Sequence, residues 1–280
     1  MSNYTSLDQY KQQVADYFNA ITNYDGSEFA NRRANHFLEL LPLKKGFKVL
    51  DIATGTGLIA IPVAEIVGSQ GKVVGVDITS VLLKQAQNKI DIFNLRNIEL
   101  MEVDAEYLNF KENSFDAVLC CSTVMVFKNI SAALKDWYRF IKPGGIVAFN
   151  AYAETSLMTP TIIQSCSNSG IDLPNIHEPL GTVEKCEHLL KEAGFHDINV
   201  TTEQFGKYMS VEDAKNILDG STWIHSENSL LQLTLEKKEF LKAEFVKIIQ
   251  GLVTDKGVWH DRDLRKLPQI SGGWGDLECL

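Results

Sequence analysis

A chain of 280 residues that is 45% hydrophobic and 22% charged is long enough for one large core with appendages and too apolar for a disordered polymer. Twenty-seven basic against 36 acidic residues leave a formal charge of -9, which argues against a broad footprint for nucleic acid or an anionic membrane and favours a small-molecule partner. Five scattered cysteines without a C-x-x-C pair suit a reducing compartment, the cytoplasm by default, and with no run of about 18 apolar residues neither secretion nor a membrane span is expected.

Tyr10, Val14, Tyr17, Phe18 and Ile21, then Ala30, Ala34, Phe37, Leu38 and Leu41, recur at helical spacing, so residues 1–45 read as a helical lead-in. Thr22–Gly26 between them is rich in turn formers and offers aromatic and acidic side chains for contact. From Lys48 the pattern changes to short β-branched runs separated by helical stretches: Lys48–Ile52, Lys72–Val76, Ile98–Val103, Ala117–Cys121, Gly145–Asn150 and His196–Thr202. This alternation predicts an α/β fold, a doubly wound and mostly parallel sheet over residues 46–205. Ser80 before Val81–Ile90, Thr182 before Val183–Ala193 and Gly194 after it mark helix ends. Residues 152–181 fit neither period and read as an insertion over the ligand site. Residues 206–280 read as a helical cap, with helices over Val211–Leu218 and about Leu230–Leu252; nothing after Asp255 reads as a strand.

Val49–Gly57 is a strand entering a glycine turn ahead of a helix, a place where backbone approaches a nucleoside ligand closely. Gly55-x-Gly57-x-x-Ala60 also matches the fingerprint of nicotinamide and flavin sites. Asp51 separates the two readings, because a carboxylate there repels a pyrophosphate and attracts the ammonium of S-adenosylmethionine. Asp77, ending the second strand, is placed to accept from both ribose hydroxyls. Asp104 and Ala105, after the third, are placed to meet the exocyclic amino group and the ring of adenine.

Val49–Gly57, Val74–Ile78, Val103–Ala105, Phe115–Val118 and Phe140–Gly145 stand in the order found in class I S-adenosylmethionine-dependent methyltransferases, which residues 45–205 resemble. The form Asp-x-Ala-x-Gly-Thr-Gly, with Ala53 where many members have glycine, and Leu189–Phe195 are similar to the branch of quinone-biosynthesis C-methyltransferases and natural-product methyltransferases of secondary metabolism. The resemblance implies a Rossmann-like sheet. By it Asp51, Ala53, Gly55 and Gly57 hold the methionine end, Asp77 and Ile78 the ribose side, Asp104 and Ala105 the adenine, and Cys121 and Ser122 the rim beside the sulfonium. Two features depart from the family pattern: Pro62 predicts a kinked or short first helix, and the family's closing hairpin strand is not evident. The Asp/Asn-Pro-Pro motif of nucleic-acid amino-methyltransferases is replaced by Cys121–Val124, so nucleic-acid methylation is not expected.

The implied reaction is in-line methyl transfer to O, N or C of a small, partly apolar metabolite, with no metal, since histidines and cysteines lack ligand spacing. Candidate lid aromatics are Tyr17, Phe18, Tyr24, Tyr152, Trp223 and Phe245, with Tyr24 favoured because it lies in a loop. His177 and His225 are the candidate bases, whereas His36, His188 and His196 read as scaffold residues. Cys120 and Cys121 read as small apolar fillers. A monomer or a homodimer is expected. The rival readings are an NAD(P)-dependent oxidoreductase and a non-catalytic methyltransferase-like interaction protein.

Overall fold

Asp8 and Ser27 accept from the backbone N–H of Lys11 and Ala30 and so start the two lead-in helices, α1 (Gln9–Asn19) and α2 (Glu28–Glu39). These belong to a computed structural model that describes residues 7–220, 230 and 233–272. The buried stripe of α1 is Tyr10, Lys11, Val14 and Ala15, and that of α2 is Ala30, Arg33, Ala34 and Phe37. In each, one cation stands among apolar residues.

After α2 come β1 (Lys48–Ile52), α3 (Ala60–Val67), β2 (Lys72–Asp77), α4 (Ser80–Ile92), β3 (Ile98–Glu102), β4 (Phe115–Cys121), α5 (Ile130–Phe140) and β5 (Ile141–Tyr152). β1 pairs in parallel with β2 and β4, β2 with β3, and β4 with β5. Val49, Leu50 and Ile52 of β1 and Ala117 to Cys120 of β4 are fully buried, as strands covered on both faces must be, and this is why they read as continuous apolar runs. Ala34, Phe37, Val63 and Val67 pack on the sheet beside Val49, Val73 and Leu119. Pro62 falls in the first turn of the eight-residue α3, where a missing N–H costs nothing; the helix is short, but the proline is not what shortens it.

β5 begins earlier than the apolar run suggests. Its register against β4 jumps from Phe115↔Ile141 to Ala117↔Ile146, so Lys142–Gly145 is looped out of the ladder. Gly145 is required there, since a Cβ would lie 2.9 Å from the Asp116 carbonyl oxygen.

Later elements are α6 (Thr159–Asn168), α7 (Val183–Glu192), β6 (His196–Gln204), β7 (Lys207–Met209), α8 (Val211–Lys215), α9 (Ile217–Gly220), α10 (Leu235–Gly251), β8 (Val258–His260) and β9 (Asp263–Gly272). The main sheet has seven strands in the order β3-β2-β1-β4-β5-β9-β6. β9 corrects the expectation that the tail carries no strand and that residues 206–280 are wholly helical. The charges of Asp263, Arg265 and Lys266 and Pro268 dilute any alternation, and partner strands rather than local propensity select the conformation.

The chain divides into two units, the first comprising Met1–Asn150, Glu187–Thr201 and Lys266–Leu280, the second Ala151–Cys186 and Thr202–Arg265. The second unit has its own core, in which Ile162 and Cys166 of α6 meet Leu241, Phe245 and Ile249 of α10, and β7 pairs antiparallel with β8. α6 lies inside the stretch read as irregular: Ile162, Ile163 and Cys166 among Ser, Thr, Gln, Asn and Pro give too faint a stripe to register as a helix. No helix among the described residues is long and apolar enough to cross a membrane.

Candidate active site

The chain leaves β1 toward β2 and leaves β4 toward β5, so neighbouring strands of the sheet send their loops apart and open a crevice at their C-terminal ends. A cavity of the first unit lies there. Its wall takes Asp51, Ala53 and Gly55 from the end of β1, Asp77 and Ile78 from β2, Asp104 and Ala105 from β3, and Cys121 from β4. The lead-in adds Lys11, Phe18, Tyr24 and Arg33.

Asp51 is 1% exposed and accepts from Thr54 Oγ1 at 2.6 Å. Burial pushes its carboxyl up to about 7 against the opposing Thr54 hydrogen bond, and the nearby Asp77 charge adds to the rise. The loop beyond turns through left-handed backbone at Ala53 (φ 54°), Gly55 (φ 54°) and Gly57 (φ 81°). Ala53 therefore carries strain of about 1–2 kcal/mol at a position suited to glycine. Gly57 is not a wall residue; its N–H donates to the Thr54 carbonyl at 2.8 Å and closes the turn.

Asp77 is buried, and its two oxygens accept from the Gly55 N–H at 2.7 Å and from the N–H and hydroxyl of Thr79 at 2.8 and 2.5 Å. Burial raises its pKa and these hydrogen bonds oppose the rise. Oδ1 takes two of these donors and Oδ2 one, so a ligand hydroxyl would fall on Oδ2. Asp104 accepts from the Glu106 N–H at 3.0 Å and meets Lys11 Nζ at 3.3 Å.

The α1–α2 loop is fastened to the glycine loop by one side chain. Asp25 accepts from Thr56 Oγ1 at 2.5 Å and from Lys89 Nζ at 2.6 Å, with Thr56 only 1% exposed beneath it. Tyr24, next in the chain, accepts from Arg33 Nη2 at 3.4 Å. Phe18 is a wall residue; Tyr17 packs edge-on to it with ring centres 5.1 Å apart.

At the end of β4, Ser122 holds φ 62° and donates to Asn150 Oδ1 at 2.5 Å, while Asn150 Nδ2 donates to Cys121 Sγ at 3.5 Å. Ser122 thus supports the rim and is not a wall residue. Cys120 is fully buried and its thiol is pushed well above the usual range by burial, consistent with an apolar filler.

His177 belongs to the second unit, where it is 3% exposed and packs edge-on to Tyr152 with ring centres 5.4 Å apart; burial pushes it down to about 4. Phe245 is core and not lid, fully buried against α6. Trp223 and His225 lie outside the described residues. Asp25 is the acidic side chain that the Thr22–Gly26 loop offers for contact; Lys11 and Arg33 were not singled out by sequence, yet a signal exists, since both share the apolar stripes of their helices.

The sequence profile of the ubiE/COQ5 methyltransferase family matches residues 9–167, more than half the chain and every wall residue of the cavity. The chain belongs to this family. It is 35% identical over 145 residues to an aklanonic acid methyltransferase of Streptomyces sp. (strain C5), the match covering 51% of this chain and 66% of that one. It is 36% identical over 110 residues to a demethylmenaquinone methyltransferase of Bacillus cereus, covering 39% and 46%. The chain thus spans less than two thirds of these curated relatives. Among solved structures, the fold resembles Haemonchus contortus phosphoethanolamine N-methyltransferase 2 in complex with S-adenosyl-L-methionine, with a TM-score of 0.54, 21% identity, and 92% of this chain and 60% of that one covered.

Proposed function

We propose that this protein transfers the methyl group of S-adenosylmethionine to O, N or C of a small, partly apolar metabolite. The observation that carries the reading is the convergence of Asp51, Asp77 and Asp104, from three successive strand ends, on one cavity. Asp51 would pair with the ammonium of the methionine end and the buried Arg33 with its carboxylate. Asp77 would accept from the ribose hydroxyls. Ile78, Leu82 and Val103 would flank the adenine, with Asp104 at its amino group. A pyrophosphate would instead face Asp51, which argues against a dinucleotide.

The bound donor supplies an already activated methyl group, so the chain need only align an acceptor in line with it and exclude water. Phe18 and Tyr24 suit an apolar acceptor or the face of a sulfonium. Tyr24, His177 and His225 remain the candidates for moving an acceptor proton. The two curated relatives are named for aklanonic acid and demethylmenaquinone, small organic molecules and not macromolecules, which supports a role in secondary metabolism without nucleic acid. Five scattered cysteines without a C-x-x-C pair support a cytoplasmic setting, and we take the enzyme to be a monomer or a homodimer.

Calorimetric titration with S-adenosylmethionine, S-adenosylhomocysteine and NAD tests the donor site. The first two should bind at micromolar concentration, and Asp77→Ala should weaken them by roughly 10- to 100-fold, the loss of hydrogen bonds to a charged group. Binding of NAD alone overturns the proposal. Formation of S-adenosylhomocysteine in an acceptor screen then tests turnover.

A further inference from the structure

Lys11 sits on the apolar face of α1 and is 4% exposed. Its Nζ meets Asp104 Oδ1 at 3.3 Å and the carboxylate of Glu106, and it stands 5.1 Å from the centre of the Phe127 ring. Glu106 is itself held by the backbone N–H groups of Lys128 and Asn129 at 3.1 and 2.7 Å. Two nearly buried carboxylates therefore share one ammonium that is brought to them by the lead-in helix. Lys11, Asp104 and Phe127 all line the cavity. The Lys11 contact and the Glu106 N–H both fall on Oδ1 of Asp104, which leaves Oδ2 for a ligand's donor.

We infer that Lys11 is a positioning residue of the adenine subsite: by balancing Asp104 and Glu106 together it keeps Asp104 a pure acceptor, and so sets the choice of adenine over hypoxanthine. The inference rests on the cavity being the S-adenosylmethionine site. Adenine presents a donor, its exocyclic amino group, where hypoxanthine presents a carbonyl acceptor. An ionised Asp104 accepts from the first and repels the second. Without Lys11 the two carboxylates that share its ammonium repel each other, which favours a proton held between them. Glu106 accepts from two backbone N–H groups that favour its charged form, so the proton falls to Asp104 as an O–H donor, and the carbonyl of hypoxanthine becomes an acceptable partner. Lys11 acts through Asp104 and needs no contact with the base.

The test titrates the full-length protein with S-adenosylhomocysteine and S-inosylhomocysteine, comparing wild type with Lys11→Met, Lys11→Gln, Lys11→Arg and Asp104→Asn. Wild type should prefer the adenine ligand. Lys11→Met and Lys11→Gln should lower that preference by on the order of tenfold, the cost of one mismatched buried hydrogen bond, and Asp104→Asn should lower it likewise. Lys11→Arg should keep it. Lys11→Gln decides the matter should the methionine variant not fold, because it retains hydrogen bonding and removes only the charge. Equal weakening of both ligands means that Lys11 merely holds α1 in place and overturns the inference, as does an unchanged preference in either neutral variant. Failure of wild type to bind S-adenosylhomocysteine removes the cofactor reading itself, an outcome distinct from the other two.

Discussion

On the proposed function, Asp51 should couple cofactor binding to proton release. Ligand-free, its carboxyl titrates at about 7 because burial disfavours the charged form. At pH 6 it is therefore about 0.9 protonated, and a ligand ammonium placed against it returns it to the ionised form, so binding should release close to one proton. The release should fall to about half a proton at pH 7 and nearly vanish by about pH 8.5. S-adenosylhomocysteine affinity should rise roughly 100-fold between pH 5 and pH 8, close to tenfold per unit below the titration point. For stability the sign runs the other way. A carboxyl whose folded pKa is raised contributes stability that is present below its unfolded value and lost as pH rises through about 7. The shift from 3.8 to about 7 corresponds to a cost of roughly 4 kcal/mol to the ligand-free protein at alkaline pH. Asp51→Asn should recover a large part of it at pH 8 and progressively less toward pH 4, while losing affinity and its pH slope. The assay is calorimetry at pH 6 in buffers of different ionisation enthalpy, with urea melts of both proteins across pH. Binding heats independent of the buffer would refute the reasoning.

Asp25→Asn should loosen the α1–α2 loop from Thr56 and Lys89 and speed S-adenosylhomocysteine dissociation about fivefold, on the order of 1 kcal/mol for a half-exposed ion pair; an unchanged off-rate in stopped-flow displacement would show that the latch carries no load. Gly57→Ala sets a side chain on a φ of 81° with its Cβ 2.9 Å from Ile61 Cδ1, and should cost about 1–2 kcal/mol in denaturant melts, mostly from backbone strain. Removal of the fully buried Phe245 ring from the α6–α10 core by Phe245→Ala should cost about 3–5 kcal/mol, read as early unfolding of the second unit by limited proteolysis; proteolysis like wild type would contradict the core assignment.

The sheet was legible where burial on both faces forces continuous apolar runs, as in β1, β2 and β4, and where a glycine or threonine marks a helix end, as Thr182 does by accepting from the Lys185 N–H at 3.3 Å. Legibility failed where an element depends on partners distant in the chain. The second unit joins Ala151–Cys186 to Thr202–Arg265, and the stripe of α6 has meaning only beside Leu241, Phe245 and Ile249. β9 is the same case in strand form, a charged and proline-bearing segment that neighbours in the sheet select. The looped-out Lys142–Gly145 hid the start of β5 because a glycine pair reads as a turn between elements, not as a bulge within one.

In the cavity, Asp51 and Asp77 were legible because each interrupts or ends an apolar strand and Asp104 because it stands just beyond one, and a carboxylate in that position has few structural uses. The cations were not, because Lys11 and Arg33 stand on helices where a charged residue beside an apolar stripe ordinarily reaches solvent with its long stem. Electrostatics supplies the missing inference. Carboxylates gathered in one cavity repel one another unless a cation compensates or a proton neutralises one of them, and the strands that carry them offer no cation. The compensation must come from whatever covers the cavity, so a lysine or arginine inside the apolar stripe of a covering helix is a site residue before any ligand is considered. Lys11 on Asp104 meets that requirement for one of the three, and with Arg33 also on the wall the lead-in helices are part of the cavity and not only its cover.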